Sequence, residues 1–440
     1  MGQDNSTQNQ EKKVLRIFLL ILIPFILTSC GIWIKTRYHY TYEPVYLEYD
    51  DLRNSFETQS PFKIYRAGQI VVYSNWIFVS DPGKGIHLID NTLPAKPFIK
   101  AFLKIPGNHQ LAIQNHILYA DRFVDLIEID IGPLLEGNGN AALKGTLKNI
   151  FPYPYTGTGY PRLYNCYYPS PDTNRGIVTN WKLVKADEYP IFAWDQIIYE
   201  MPANGNKTVS GKNGSTSAFA LNDEWLYTIE FNKMKVFSVI SRESPVYKTN
   251  IQLSNWIETI YPYEDLLFIG SREGMGLYRT KPDPASPSFV SWLSHVHARD
   301  PVIYDGSYAY VTLLNGQLLV VDVRDQKNPV LTNTLIMRQR LYGLTLKGNR
   351  LYVGTDVGLA IFDTAKKPDI IQISNLQSNI DTEELDHYYS LSSEMPVVYD
   401  LIADENRLIA STSSGIYQLD CRNPDKPVII SFIPSMEKVR

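Results

Sequence analysis

A short apolar strand ends in the same kind of turn seven times along this chain, at Asp90, Asp130, Ser238, Arg279, Asp322, Asp363 and Asp420. Four of the six spacings between these points are 40, 41, 43 and 41 residues, and the other two, 108 and 57, contain insertions. A period near forty made of strands and turns is the pattern of a β-propeller, in which each unit is one four-stranded sheet that needs its neighbours to cover its faces. The expected fold class is all-β: a β-propeller of seven four-stranded blades, or eight if one insertion forms a blade of its own. The pattern fixes an architecture and leaves the bound molecule unspecified.

The unit at 299–335 shows the order of its parts. A strand ends in the Asp305-Gly306 turn, a second runs from Tyr308 to Leu313, and Asn315-Gly316 turns again. Gln317 to Val323 is continuously apolar, as a strand buried on both faces should be, and Val330 to Leu335 follows a proline-bearing turn. The same order recurs at 69–104, 342–371 and 397–433, with weaker copies at 108–131, 215–252 and 256–293. Gly85, Gly316, Gly358 and Gly415 stand where a turn needs positive φ. The aspartates that end the third strands are placed to bond turn amides. They belong to different blades, so a shared calcium site is the poorer explanation.

Hydrophobic residues make up 44% of the 440-residue chain and charged residues 20%, enough apolar material for a large core. The net charge of −4 supplies no basic stripe, so nucleic acid is not an expected partner. Thirty tyrosines suit pleated strand faces. The cysteines Cys30, Cys166 and Cys421 show no zinc spacing; the latter two read as free or buried thiols.

The amino terminus reads as an address. Lys12, Lys13 and Arg16 precede an apolar run from Ile17 to Leu27, the order of a secretory signal. The run closes with Leu27-Thr28-Ser29-Cys30, which resembles a bacterial lipobox and makes Cys30 the expected acylated first residue of the mature chain. Two other readings stand beside it. Ile17 to Ile34 is long enough for a membrane anchor, although Pro24 and the polar 28–31 run weaken it. Gly2 to Ser6 fits a loose myristoylation pattern. The expected organisation is a signal at 1–29, a lipidated terminus and tether at 30–60, and a propeller at 61–434 with insertions near 132–214 and 374–395. The expected location is the bacterial envelope. The absence of acidic residues in 31–42 points to the outer membrane.

The strand sequences Leu319-Val320-Val321-Asp322 and His87-Leu88-Ile89-Asp90, with the stretches at 81–90, 117–131, 257–270 and 300–313, resemble the LVIVD-repeat proteins. The resemblance spans 43–434 and implies a β-propeller carried by an envelope lipoprotein. It implies no activity, ligand or cofactor, and Ser238 and Arg279 depart from its strand-ending aspartate.

The first insertion is rich in aromatics. Tyr153, Tyr155, Tyr160, Tyr164, Tyr167 and Tyr168 form a candidate loop that either stacks on a sugar or peptide ligand or covers strand edges. Two strand-like runs follow, 176–184 and 195–201, which either finish the second blade or begin an eighth. The second insertion carries Asp381, Glu383, Glu384, Asp386 and His387, the composition of a solvated acidic loop.

Propeller ligands sit where the first strands of all blades begin. The polar residues at those starts are His109, Thr216, Glu258, Arg299, Asp300, Tyr342 and Asp400, the candidate channel-mouth residues. His295 and His297 alternate along one strand, where packing is the commoner role than metal binding. No catalytic motif is present: there is no GxSxG elbow, HExxH or phosphate-binding loop. The expected function is a non-catalytic, membrane-tethered scaffold for a protein or glycan, without cofactor. A propeller hydrolase or lyase using carboxylate, histidine or metal chemistry is the alternative.

Overall fold

A computed structural model describes residues 40–154, 166–167, 169–185, 218–240, 244–253, 257–294, 302–376 and 396–436. Two compact units are present, one of 47–155 with 202–440 and one of 1–46 with 156–201.

The larger unit holds seven antiparallel four-stranded blades, at 70–104, 111–147, 219–252, 257–294, 302–336, 341–376 and 398–434. The first strand of each blade touches the first strand of the next, and blade 7 returns to blade 1, so the ring is closed. First strands therefore line the axis and fourth strands form the rim.

Third strands carry the densest burial because they sit mid-blade with both faces covered. Gln317–Asp322 has four consecutive buried residues and Gly415–Asp420 has five. The residue ending the strand does the work expected of it. Asp90, Asp130, Asp322, Asp363 and Asp420 each accept the backbone N–H two residues on, at 2.9–3.0 Å. This bond satisfies a turn amide that has left the sheet. Arg279 replaces the aspartate in blade 4 and pairs instead with Asp265 at 2.5 Å and with the Gln326 side chain in blade 5. Gly415 is needed for two reasons. Its φ is +139°, and a β-carbon there would lie 2.1 Å from the Ile433 carbonyl oxygen.

Many tyrosines are spokes between blades. The third residue of the second strand is Phe78, Tyr119, Tyr227, Phe268, Tyr310 or Tyr352 in blades 1 to 6, and every one is buried. Tyr227 and Tyr352 donate their hydroxyls to the Pro284 and Pro424 carbonyls of the following blade, both at 2.9 Å. A ring fills the interblade space and its hydroxyl finds a fixed acceptor.

Blades 7 and 1 close the ring with groups far apart in sequence. Ile402, Ile409 and Ile416 pack with Ile70, Val72 and Val79. Gln418 Nε2 donates to Asn91 Oδ1 at 2.7 Å, Ser411 Oγ to the Gly68 carbonyl at 2.9 Å, and the Met436 N–H to the Ile64 carbonyl at 2.9 Å. Before blade 1 the chain forms a strap. It has a helical turn, Tyr49–Arg53, and a strand, Glu57–Gln59, added antiparallel to the rim strand Phe98–Lys104. Arg53 reaches the buried Asp125 of blade 2 with two bonds, at 3.0 and 3.3 Å.

Two expectations are corrected. Blade 2 ends with Ala142–Leu147, inside the stretch read as insertion. Gly176–Lys185 belongs to no blade: it forms a three-stranded sheet with Tyr40–Glu48 and Cys166–Tyr167 in the smaller unit. Among the described residues the blade number is therefore seven, not eight. In that small sheet Tyr42, Val178 and Trp181 pack together, and Arg175 lies over the Tyr46 ring at 4.6 Å. The run at 195–201 and the acidic 381–387 group lie outside the described residues. Cys421 is a buried free thiol, and its burial pushes the pKa up to about 11.

Candidate functional site

All first strands start on the same face of the ring, where the fourth strand of the preceding blade ends. The longest connections lead from blade 2 to blade 3, from 148 to 218, and from blade 6 to blade 7, from 377 to 397.

Strand pairing sets which residues share a level at this mouth. Ile70, Leu111, Phe219, Ile260, Val302, Leu344 and Leu401 each face the fourth residue of the neighbouring second strand. Two residues before them are Gly68, His109, Glu258, Tyr342 and Tyr399 in the five blades described there. His109, Glu258 and Tyr342 thus share one level. Asp400 does not: it lies one residue deeper and is fully buried, and Tyr399 occupies its expected place. The strand bulges between Val398 and Asp400, and similar irregularities occur at Ile257/Thr259 and Leu341/Leu344. A bulge adds one residue and re-aims the side chains beyond it. Thr216, Arg299 and Asp300 lie outside the described residues, as do Cys30, Tyr155, Tyr160, Tyr164 and Tyr168, and the side chain of Tyr167. Tyr153 is half-buried.

Each group at the mouth has a partner that sequence spacing could not name. Arg272, in a turn of blade 4, donates through Nε to Glu258 Oε1 at 3.0 Å. The rings of Tyr342 and Tyr399 meet edge to face, 5.6 Å apart at 87°. The imidazole of His109 keeps exposed surface but is ringed by protein atoms. That enclosure, with Arg66 nearby, lowers its pKa. Asp121 Oδ1 accepts the His109 and Gln110 N–H groups at 2.8 and 2.7 Å and Asn108 Nδ2 at 2.9 Å. Burial outweighs these bonds and pushes the Asp121 carboxyl up to about 7.

One level down, the side chains staple blades together. Gln69 holds both the N–H and the carbonyl of Leu111, each at 2.7 Å, and Gln110 Oε1 accepts the Ala218 N–H at 3.4 Å. Asp400 stands at the same level and is one methylene shorter. Its Oδ1 accepts the Leu401 N–H at 2.9 Å, and among the described residues its Oδ2 has no hydrogen-bond partner. Burial pushes this carboxyl up to about 8. Among the described residues no three histidine, cysteine, aspartate or glutamate side chains are grouped to hold a metal ion.

Comparison with known proteins gives the same architecture. A search of curated proteins finds no match. Among solved structures the chain is similar to a protein from Lactobacillus plantarum, with TM-score 0.54 and 11% identity over 85% of this chain and 96% of that one. It is also similar to a candidate 6-phosphogluconolactonase from Bacteroides fragilis, with TM-score 0.53 and 10% identity over 87% and 96%. At such identities the likeness is one of fold. The LVIVD-repeat family model matches residues 297–335, which cover blade 5 except its last residue. Residues 297–335 are thus an LVIVD repeat, set within a β-propeller of seven blades among the described residues.

Proposed function

We propose that this propeller is a non-catalytic binding scaffold, tethered to the bacterial envelope by a lipid on Cys30, that takes a protein or glycan at the face where its first strands begin. The observation that carries this reading is the shared level of His109, Glu258, Tyr342 and Tyr399. Four blades present a histidine, a carboxylate held by an arginine, and two contacting tyrosine rings on one side of a rigid ring. Such a surface offers stacking area and directional polar groups without a grouped nucleophile and base.

A second reading, a propeller hydrolase, has one structural argument. Asp121 and Asp400 are carboxyl groups whose pKa values are raised toward neutrality, as an acid catalyst requires. A fold neighbour carries a lactonase assignment. Against it, Asp400 has no surface open to a substrate.

The test joins two arms. Metabolic labelling with a palmitate analogue should mark the wild-type chain and spare Cys30→Ala; equal labelling would remove the tether from the account. Incubation with sugar lactones should give no hydrolysis above background. Turnover abolished by Asp121→Asn would replace the scaffold reading with the hydrolase.

A further inference from the structure

The rim carries a pattern that the mouth does not explain. Every fourth strand bulges at the same place, where its register against the third strand slips by one. The residue left out of the ladder is Lys100, Lys144 or Lys248 in blades 1 to 3, and Val290, Thr332, Ile373 or Ile430 in blades 4 to 7. A bulge with a lysine is a guard against pairing with another strand. Blades 4 to 7, adjacent around the ring, keep the bulge and lack the charge. Their rim strands contain no charged residue at all, and Phe289, Ile371 and Val428 are 59%, 58% and 61% exposed.

Blade 1, guarded by Lys100, accepts an added strand only where that strand stops short of the bulge. Glu57, Thr58 and Gln59 of the strap pair with Lys104, Leu103 and Phe102, beyond the bulge. The matching positions in blade 4 are Trp292 to Ser294, because Trp292 faces Gly276 as Phe102 faces His87. Among the described residues no strand covers them. A segment laid there in the strap's direction would run on toward Ser288. At that end lies a groove of about 520 Å³ between blades 4 and 5, lined by Phe289, Val290, Arg279, Arg324, Asp325 and Lys327. Arg279 is held by Asp265 and Arg324 by Asp322, whereas the Lys327 ammonium makes no ion pair among the described residues. The groove therefore offers the C-terminal end of an added strand an apolar wall and a cation in no direct ion pair, whose charge reaches the Asp325 carboxylate beside it.

We propose that the outer edge of blade 4 is a second binding surface, taking an extended peptide segment by strand addition, with an apolar residue against Phe289 and a carboxylate at Lys327. Main-chain pairing supplies the affinity and the groove supplies the selection.

The test uses the full chain and a synthetic probe, acetyl-Thr-Val-Thr-Val-Thr-Phe-Glu with a free carboxyl end. Titration by fluorescence anisotropy should show saturable binding, and hydrogen exchange should slow in Ser288–Ser294. Val290→Lys installs the guard of blades 1 to 3 and should weaken binding at least about tenfold, whereas Thr332→Lys in blade 5 should not. Lys327→Gln, an exposed change that leaves the sheet intact, should cost affinity for the probe but not for a probe ending in Gln-amide. No binding, binding indifferent to Val290→Lys, or protection elsewhere would overturn the proposal. So would sedimentation showing a wild-type dimer that Val290→Lys dissociates, since the occupant would then be a second copy of this chain.

Discussion

A β-carbon at Gly354 would lie 2.3 Å from the carbonyl oxygen of Val398, so blade 6 meets the first strand of blade 7 at a point with no room for a side chain. Gly343 repeats the arrangement at the mouth, where a β-carbon would lie 2.7 Å from the Asp400 α-carbon. Two glycines thus set the spacing of one seam in a closed ring. A closed ring cannot widen one seam without straining the others. Gly354→Ala should therefore lower stability by roughly 1–3 kcal/mol, the usual effect of overpacking, measured by urea unfolding. An unchanged midpoint would mean that the blades slide apart freely.

Asp400 sits in that seam, and its titration gives the fold a pH dependence. Its carboxyl is raised from 3.8 to about 8. Between these values the unfolded chain releases the proton and the folded chain keeps it. Stability from this group is greatest at low pH, falls as pH rises through this window, and levels off above it. Asp400→Asn removes the ionisation. Its stability relative to wild type should grow between pH 5 and pH 8 by more than ~1 kcal/mol. Urea melts at three pH values read this directly; a gap that stays constant with pH would place the cost elsewhere.

Glu128 is a second misfit in the repeat. It is fully buried, and among the described residues neither carboxylate oxygen has a hydrogen-bond partner. The equivalent residues in blades 1, 4, 5 and 6 are Leu88, Leu277, Val320 and Ile361. Burial pushes the Glu128 carboxyl up to about 7, Asp130 adds to this, and Lys144 opposes it. Glu128→Leu should stabilise the chain by roughly 1–3 kcal/mol, the cost of an unsatisfied buried group. Thermal unfolding at neutral pH checks it, and a loss of stability would show that the carboxylate has an unrecognised partner.

The tyrosine spokes give a prediction of smaller size. Tyr352→Phe keeps the ring that fills the space between blades 6 and 7 and removes the hydroxyl that bonds the Pro424 carbonyl and the Cys421 side chain. The expected cost is ~1 kcal/mol, with Tyr227→Phe behaving alike at Pro284. A neutral result would mean that water replaces the hydroxyl at no cost.

The blade count and the third strands were legible because their signals are local. An apolar run, its terminal aspartate and the turn amide that aspartate accepts all fall within eight residues, as at Asp322 and Arg324. What was not legible depends on partners distant in sequence. Nothing in the spacing pairs Arg272 with Glu258, or Gln418 with Asn91 some 327 residues away. The fourth strand of blade 2, Ala-Leu-Lys-Gly-Thr-Leu, is too polar and too short to stand out from a loop, so its place was read as insertion. Asp400 stands one residue deeper than Tyr399, and which residue of a strand start reaches the mouth depends on a bulge that leaves no mark in composition. Arg279, noted in the sequence only as a departure from the repeat, proves to be a tie between blades 4 and 5.

The central claim is that the mouth level, built from separate blades, is the ligand surface. Binding of the purified full chain to immobilised bacterial envelope fractions, compared with a variant carrying His109→Ala, Glu258→Ala, Tyr342→Ala and Tyr399→Ala, tests it most directly. The account predicts saturable binding by the wild type and its loss in a variant that still unfolds cooperatively. Equal binding by the two proteins would contradict it.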